Sequence, residues 1–347
     1  MNRKILALLL IIALIFNLSG CDTKDKRYQA QFLELFDTAT TIIGYAKDKA
    51  TFSQTAQMIY DELKVYHELY DIYNDYERIN NIKTINDNAG IAPVKVDQKI
   101  IDLLKLGQKA YDLSGGKVNI AFGSVLAVWH QYREEGLDDP DKAELPPIDV
   151  LKEKAQHTDM NKVIINEKDS TVYLEDPEMR LDVGAIGKGY ATERVAQYMI
   201  DKGYTSLLLS VGGNVRAIGS REEKQKAWNV GIQNPDLESK DKYLMITELE
   251  NLSLVSSGDY ERYYTVDGKR YHHIIDPDTL MPAEYFTAVS IICEDSGLAD
   301  ALSTTVFSMS LEDGKKLIES LPGVEAMWVE KDGEIVYSSG FESYINK

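Results

Sequence analysis

The sequence predicts an α+β fold. Helical and strand-like segments are mixed along 347 residues without a regular βαβ alternation, and nothing repeats at a period of roughly 20–50 residues. A hydrophobic content of 44%, with three Trp and 21 Tyr, supplies the core of one large or two fused units rather than a disordered or fibrous chain.

The amino terminus stands apart from that pattern. Arg3 and Lys4 precede an unbroken apolar run over residues 5–16, and Leu18-Ser19-Gly20 leads into Cys21. The run is well short of the roughly 18 residues that argue for a membrane-spanning helix, so it reads as an export signal. Leu-Ser-Gly-Cys resembles a bacterial lipobox. That implies cleavage before Cys21, lipidation of Cys21, and anchoring to the cell membrane on its extracytoplasmic face, each buried methylene contributing about 0.8 kcal/mol. The expected division is a signal peptide over residues 1–20, the lipidated cysteine with a polar tether over 21–29, and one folded unit over 30–347.

Without Arg3 and Lys4, the 38 basic residues fall to 36 against 56 acidic ones, a formal charge of −20. Nucleic acid is excluded as a partner, because binding phosphates along a strand needs a basic face. An anionic ligand would need local compensation from a metal ion, a lysine or main-chain N–H groups. With Cys21 lipidated, Cys293 alone remains, which rules out an internal disulfide or a cysteine metal cluster. In its apolar surroundings Cys293 reads as a small buried hydrophobe.

Ala56, Ile59, Leu63, Tyr66 and Tyr70 recur at helical spacing and predict an amphipathic helix over residues 52–70. A second helix spans 98–113, with Ile100, Leu103, Leu104 and Tyr111 on one side and a stop at Gly115-Gly116. Residues 131–160 turn charged and Pro-containing and read as an exposed surface excursion. Strands are expected at 162–165, 171–174, 206–211 and 228–232, with a helix over 190–202 ending at Gly203. Further strands are expected at 252–256, 263–266 and 287–293, then a helix over 298–309 and a hairpin of 326–329 with 334–338 around Asp332-Gly333.

Four clusters carry chemistry. Residues 181–190, Leu-Asp-Val-Gly-Ala-Ile-Gly-Lys-Gly-Tyr, run small residues straight into a helix, so main-chain N–H groups and Lys188 can meet an anion. The spacing of Gly184, Gly187 and Gly189 fits neither a Walker loop nor a dinucleotide fingerprint. Ser210-Val211-Gly212-Gly213-Asn214-Val215-Arg216 places a double glycine at a strand end, as a site, a bulge or a hairpin corner would. In Tyr271-His272-His273-Ile274, neighbouring strand residues face opposite ways, so His273 is taken to face a site and His272 to point outward. On the last helix, capped by Asp295 or Ser296, Asp300 and Thr304 lie one turn apart, a carboxylate and a hydroxyl of the kind magnesium accepts.

In this order and spacing the four clusters resemble the ApbE family, the FAD:protein FMN transferases. Phe36-Asp37-Thr38, Ile120-Ala121-Phe122-Gly123 with Trp129, and Trp228-x-Val230-Gly231-Ile232-x-Asn234-Pro235 add to the resemblance. It implies an ApbE-type, T-fold-like unit of two lobes around an FAD cleft, with residues 30–347 catalytic. It further implies magnesium at the Ala185 carbonyl, the Asp300 carboxylate and the Thr304 hydroxyl. Flavin contacts would fall on Ala121, Phe122, Gly123, Asp182, Lys188, Ile274 and Ser303.

The expected reaction moves FMN from FAD to a threonine of a partner protein and releases AMP. Asp300 would be the central catalytic residue, and His273 the supporting base. The implied acceptors are flavin-carrying subunits of membrane redox complexes of the NADH:quinone reductase or Rnf type. Two further readings stay open on sequence: an FAD pyrophosphatase with water in place of threonine, and a non-catalytic FAD-binding lipoprotein.

Overall fold

The computed structural model describes residues 25–221 and 226–346, so the export signal and Cys21 lie outside the described residues. From the amino-terminal side, β1 (Lys26–Phe32) and β2 (Thr40–Ala46) form a hairpin that leads into α1 (Lys49–Tyr70). Then come α2 (Ile82–Asp87), β3 (Val94–Lys95), α3 (Gln98–Ser114), α4 (Gly123–Asp138) and α5 (Ile148–Lys154). Strands β4 (Val163–Asn166) and β5 (Thr171–Leu174) precede α6 (Gly187–Asp201). A run of strands follows: β6 (Ser206–Val211), β7 (Asn214–Gly219), β8 (Trp228–Gln233), β9 (Tyr243–Leu249), β10 (Ser253–Gly258), β11 (Tyr263–Val266) and β12 (Lys269–His272). After β13 (Phe286–Cys293) come α7 (Ser296–Phe307), α8 (Leu311–Glu319), β14 (Glu325–Glu330) and β15 (Ile335–Tyr337).

Two-residue periodicity organises the centre. Eight strands form a sheet in the order β1-β2-β6-β7-β10-β13-β14-β15, antiparallel at every joint. Leu207, Leu209 and Val211 of β6 face α1 and α6, while Leu208 faces the opposite side. Val289, Ile291 and Cys293 of β13 face α7 and α8, while Ala288 and Ile292 face away. Helices cover the first face and the β8–β9 hairpin, through Trp228, Val230 and Ile232, covers the second. Each such aliphatic side chain contributes roughly 1.5–3 kcal/mol when fully buried.

Local signals set the boundaries. Asp48, Asp97 and Asp295 cap α1, α3 and α7 by accepting from the main-chain N–H of Thr51, Lys99 and Leu298. Helix α3 stops where Gly115 takes a left-handed φ of 60°. The double glycine at 212–213 is a hairpin corner: β6 pairs β7 around it with φ of 54° and 87° at the two glycines. Cys293 is buried, and burial pushes its thiol up to about 12, which keeps it unreactive.

Two expectations need correction. Residues 26–29, read as tether, belong to β1, because their main chain pairs with β2. Residues 131–160 are mostly exposed, as expected, but largely helical, and α4, which begins before them at Gly123, is anchored through its earlier turns. Phe122, Val125 and Trp129 form a separate small core with Leu151, Tyr264, Ile275 and Leu280, which seats α4 and the β11–β12 hairpin against each other. The charged second half of α4 masked the apolar spacing of Val125 and Trp129. Among the described residues no helix is long and apolar enough to cross a membrane.

Candidate functional site

A cleft of about 620 Å³ opens where the start of α6, one face of α7, the β6–β7 corner and the end of β10 meet, with α4 and the segment after β12 along its rim. Its floor is built by one close approach. The first turn of α6 has no side-chain cap, and the Gly189 N–H donates to Asp300 Oδ2 at 2.8 Å instead of to the Ala185 carbonyl four residues back. A carboxylate at a helix start is favoured by the helix dipole. Only glycine fits here, because a Cβ on residue 189 would collide with the Ser296 carbonyl and the Asp300 Cβ.

This arrangement leaves three oxygens uncommitted. Among the described residues the Ala185 carbonyl accepts no hydrogen bond, and the second Asp300 oxygen has no donor. One turn beyond Asp300, the Thr304 hydroxyl would ordinarily reach back to the Asp300 carbonyl, but Ser303 Oγ already donates there at 2.9 Å. Ala185, Asp300 and Thr304 all line the cleft. Asp300 is 5% exposed, and burial raises its pKa against the pull of Lys188 and the Gly189 N–H. A buried carboxylate held this way, beside a free carbonyl and a free hydroxyl, is a hard-oxygen set of the kind a divalent cation accepts. The donors present therefore fit magnesium.

The two histidines line the same cleft. His272 does not point outward as expected. It is buried, its Nε2–H donating to the Ala283 carbonyl at 2.9 Å and its Nδ1 accepting from the Ile274 N–H at 3.3 Å, and it meets Phe307 edge-on. His273 faces the cleft. Burial lowers its pKa, reinforced by the nearby cations Lys188 and Arg262, although the side chain is exposed to the open cleft and water there moderates the effect. At neutral pH the imidazole is therefore unprotonated.

The remaining expected contacts divide. Phe122, Asp182, Lys188 and Ile274 line the cleft. Asp182 Oδ1 accepts from the Gly184 N–H at 2.8 Å, and burial raises its pKa. The Ile274 main chain is already engaged, its N–H by His272 and its carbonyl by the Ala283 N–H. Ala121, Gly123 and Ser303 sit behind the wall. Ala121 donates its N–H to Asn119, Gly123 lies against the Arg180 carbonyl, and Ser303 reaches the cleft only through Ser257, hydroxyl to hydroxyl at 2.9 Å.

Comparison with known proteins places this geometry. The ApbE family model matches residues 36–328. The chain belongs to the ApbE family. It is 35% identical over 272 residues to the FAD:protein FMN transferase of Treponema pallidum (strain Nichols), covering 75% of this chain and 73% of that protein. It is 30% identical over 316 residues to the FAD:protein FMN transferase of Klebsiella pneumoniae (strain 342), covering 91% and 93%. The crystal structure of the ApbE protein from Thermotoga maritima superposes with a TM-score of 0.80 at 29% identity, covering 93% of this chain and 100% of that one. The flavin transferase ApbE from Vibrio cholerae shares the fold, with a TM-score of 0.76 at 20% identity over 92% and 99%. An ApbE fold thus accounts for the mixed strands and helices.

Sequence reasoning missed much of this ApbE cleft. Lys117, Arg133 and Arg262 join Lys188 in it, which meets the need for local positive charge in an acidic chain. Lys117 is held by Asp276 and Asp278 at 2.8 and 2.7 Å, and Arg262 donates to the Asp37 carbonyl at 3.4 Å. Tyr73 presents an exposed ring at the rim, tilted at 32° to His130, whose Nδ1 lies 2.6 Å from Arg133. Phe36 and Asp37 hold left-handed φ of 56° and 50°, the Phe36 N–H donating to His67. A non-glycine pair held in that region is strain of the sort found at functional sites.

Because α6 and α7 meet at Gly189, Gly189→Ala should separate them. The expected result is a loss of roughly 1–3 kcal/mol in stability, the usual cost of overpacking, together with a lower transfer rate as Asp300 shifts. Thermal unfolding and steady-state rates measured on the same preparation check both.

Proposed function

We propose that this chain transfers the FMN half of FAD to a threonine hydroxyl of a partner protein and releases AMP. The observation that carries the reading is the convergence, in an ApbE fold, of Ala185, Asp300 and Thr304 near the α6 start, in a cleft that His273 also lines and that is sized for a dinucleotide. In the reaction the threonine oxygen bonds to the FMN phosphorus as the bond from that phosphorus to the bridging oxygen breaks. AMP leaves with the bridging oxygen.

Phosphoryl-type transfer is governed by positioning and by neutralising charge. Lys188 and Arg133 offset the pyrophosphate charge. Tyr73 offers a flat surface for a planar ring. Magnesium, held by Asp300, Thr304 and the Ala185 carbonyl, would supply charge neutralisation at the pyrophosphate. His273, kept neutral by its surroundings, accepts the threonine proton.

His273→Ala is expected to slow transfer by roughly a hundred- to ten-thousand-fold and to leave FAD bound. Because the His273 pKa is lowered, the wild-type rate should hold its plateau well below pH 6.5, the ordinary value, and fall only as the imidazole gains its proton. An unchanged rate in the variant, or a wild-type acid limb at the ordinary histidine value, removes His273 from the reaction.

Lipidation of Cys21 would hold the cleft at the membrane surface on the extracytoplasmic side, within reach of flavin-carrying subunits of NADH:quinone reductase or Rnf type. The short link between Cys21 and β1 supports that reading, since it leaves little slack. Metabolic labelling with a radioactive fatty acid tests it: label in the wild-type protein and none in Cys21→Ala is the expected result. Chelation tests the magnesium site. Excess EDTA should stop flavin transfer and added magnesium should restore it.

A further inference from the structure

Strand β10 runs past the end of its neighbour. It pairs with β13 over its full length, but with β7 only at Ser253↔Arg216 and Leu254↔Val215. Because β7 begins at Asn214, where the chain turns back to β6, residues 255–258 have no strand on that side among the described residues.

Two bonds show which main-chain groups face this gap. The Leu252 carbonyl accepts from the Ala217 N–H on the β7 side, and the Asp259 N–H donates to the Thr287 carbonyl on the β13 side. Successive residues of an antiparallel strand turn their main-chain groups alternately to its two neighbours. The N–H and C=O of Ser256 and Gly258 therefore face the open side, and both residues line the cleft.

The edge is tied to the reacting centre and faces an unfilled acceptor. Ser257, between the two, bonds Ser303 Oγ, which donates to the Asp300 carbonyl. At the β6–β7 corner stand Gly212, Gly213 and Asn214, which also line the cleft, and the space beside the Gly213 Cα is open. Asn214 is 2% exposed, and while its amide nitrogen donates to the Val211 carbonyl at 3.2 Å, its Oδ1 has no partner. A buried acceptor left unpaired costs roughly 1–3 kcal/mol, so this wall is built for a hydrogen-bond donor.

We propose that the open edge of β10, at Ser256 and Gly258, is the docking site of the acceptor protein. An extended segment of the acceptor adds to it as a strand and delivers its hydroxyl beside Asp300. The inference rests on the transferase reading and names how its second substrate is held. Alternating N–H and C=O groups at two-residue spacing complement another main chain, whereas the anionic pyrophosphate of FAD would meet carbonyls at half of those positions. Recognition through the main chain tolerates varied sequence around the accepting threonine.

Amide hydrogen exchange on the purified chain tests this, using a soluble flavoprotein domain whose flavin-accepting threonine is replaced by valine. Saturation with that domain should slow exchange at Ser256 and Gly258 on the order of tenfold, as one added hydrogen bond each implies, and FAD alone should not. Unchanged exchange at saturation, or equal slowing by FAD alone, overturns the proposal. N-methylation of the acceptor amides one by one should raise KM at alternate positions only, and a uniform response would also overturn it. Covalent flavin on the unsubstituted domain reads the transferase reaction separately. Transfer without protection of Ser256 and Gly258 overturns the docking edge alone, whereas protection without transfer upholds the edge and overturns the transferase reading.

Discussion

Asp300→Ala is expected to abolish flavin transfer, with kcat/KM falling by roughly 10³–10⁵-fold, the scale seen when a charge-neutralising group is lost from a phosphoryl-transfer site. The size follows from what Asp300 does twice over. One oxygen accepts from Gly189 and fixes the start of α6 against α7, and the other faces the cleft beside Thr304 and the Ala185 carbonyl. Removing the carboxylate takes away the one anionic member of this oxygen set and leaves the Gly189 N–H unpaired. The stability change should be small by comparison, because a desolvated carboxylate disappears along with its hydrogen bond. Isothermal titration with magnesium separates the two effects. Wild-type affinity for magnesium in a folded Asp300→Ala protein would remove Asp300 from the metal site.

Arg216→Ala should be the most destabilising single change outside the cleft. Arg216 Nε lies 3.0 Å from Glu193 Oε2, with both side chains 3% exposed or less, and its Nη1 donates to the Ala217 carbonyl at 2.7 Å. Breaking a buried pair by removing one partner costs about 3–5 kcal/mol, since the other charge stays buried alone. Tm should drop on the order of 10 °C in a protein of this size. The effect reaches the site, because Glu193 Oε2 also accepts from the Ser296 N–H at the start of α7. An apolar pair such as Arg216→Met with Glu193→Leu should recover much of the Tm. A single Arg216→Ala protein that melts with the wild type would contradict this account.

What the sequence reveals and what it hides divide along physical lines. Periodicity and punctuation locate elements well: the helix ending at Gly115-Gly116, the strand 206–211 before its double glycine and the hairpin around Asp332-Gly333 stand as expected. Short-range chemistry is equally legible, since Asp300 and Thr304 one turn apart must share a helix face.

Contacts between distant segments are not written in local pattern. Gly189 reads as one more small residue until α7 is seen against it. Arg216 carries a signal that can be found, a charge inside an apolar strand, yet its partner lies 23 residues away on a helix. His272 fails the outward expectation because β12 is packed on both sides, so alternation alone cannot say which side is solvent. Tyr73 and His130 meet only because a loop after α1 and helix α4 converge on the cleft rim.

The cleft is expected to move FMN onto a protein hydroxyl. The most direct measurement is the mass of an acceptor domain after incubation with the purified chain, FAD and magnesium, with AMP counted in the same tube. The expected result is an acceptor heavier by one FMN less one water on its threonine, with one AMP released for each acceptor modified. An unmodified acceptor, with free FMN and AMP accumulating together, would contradict it.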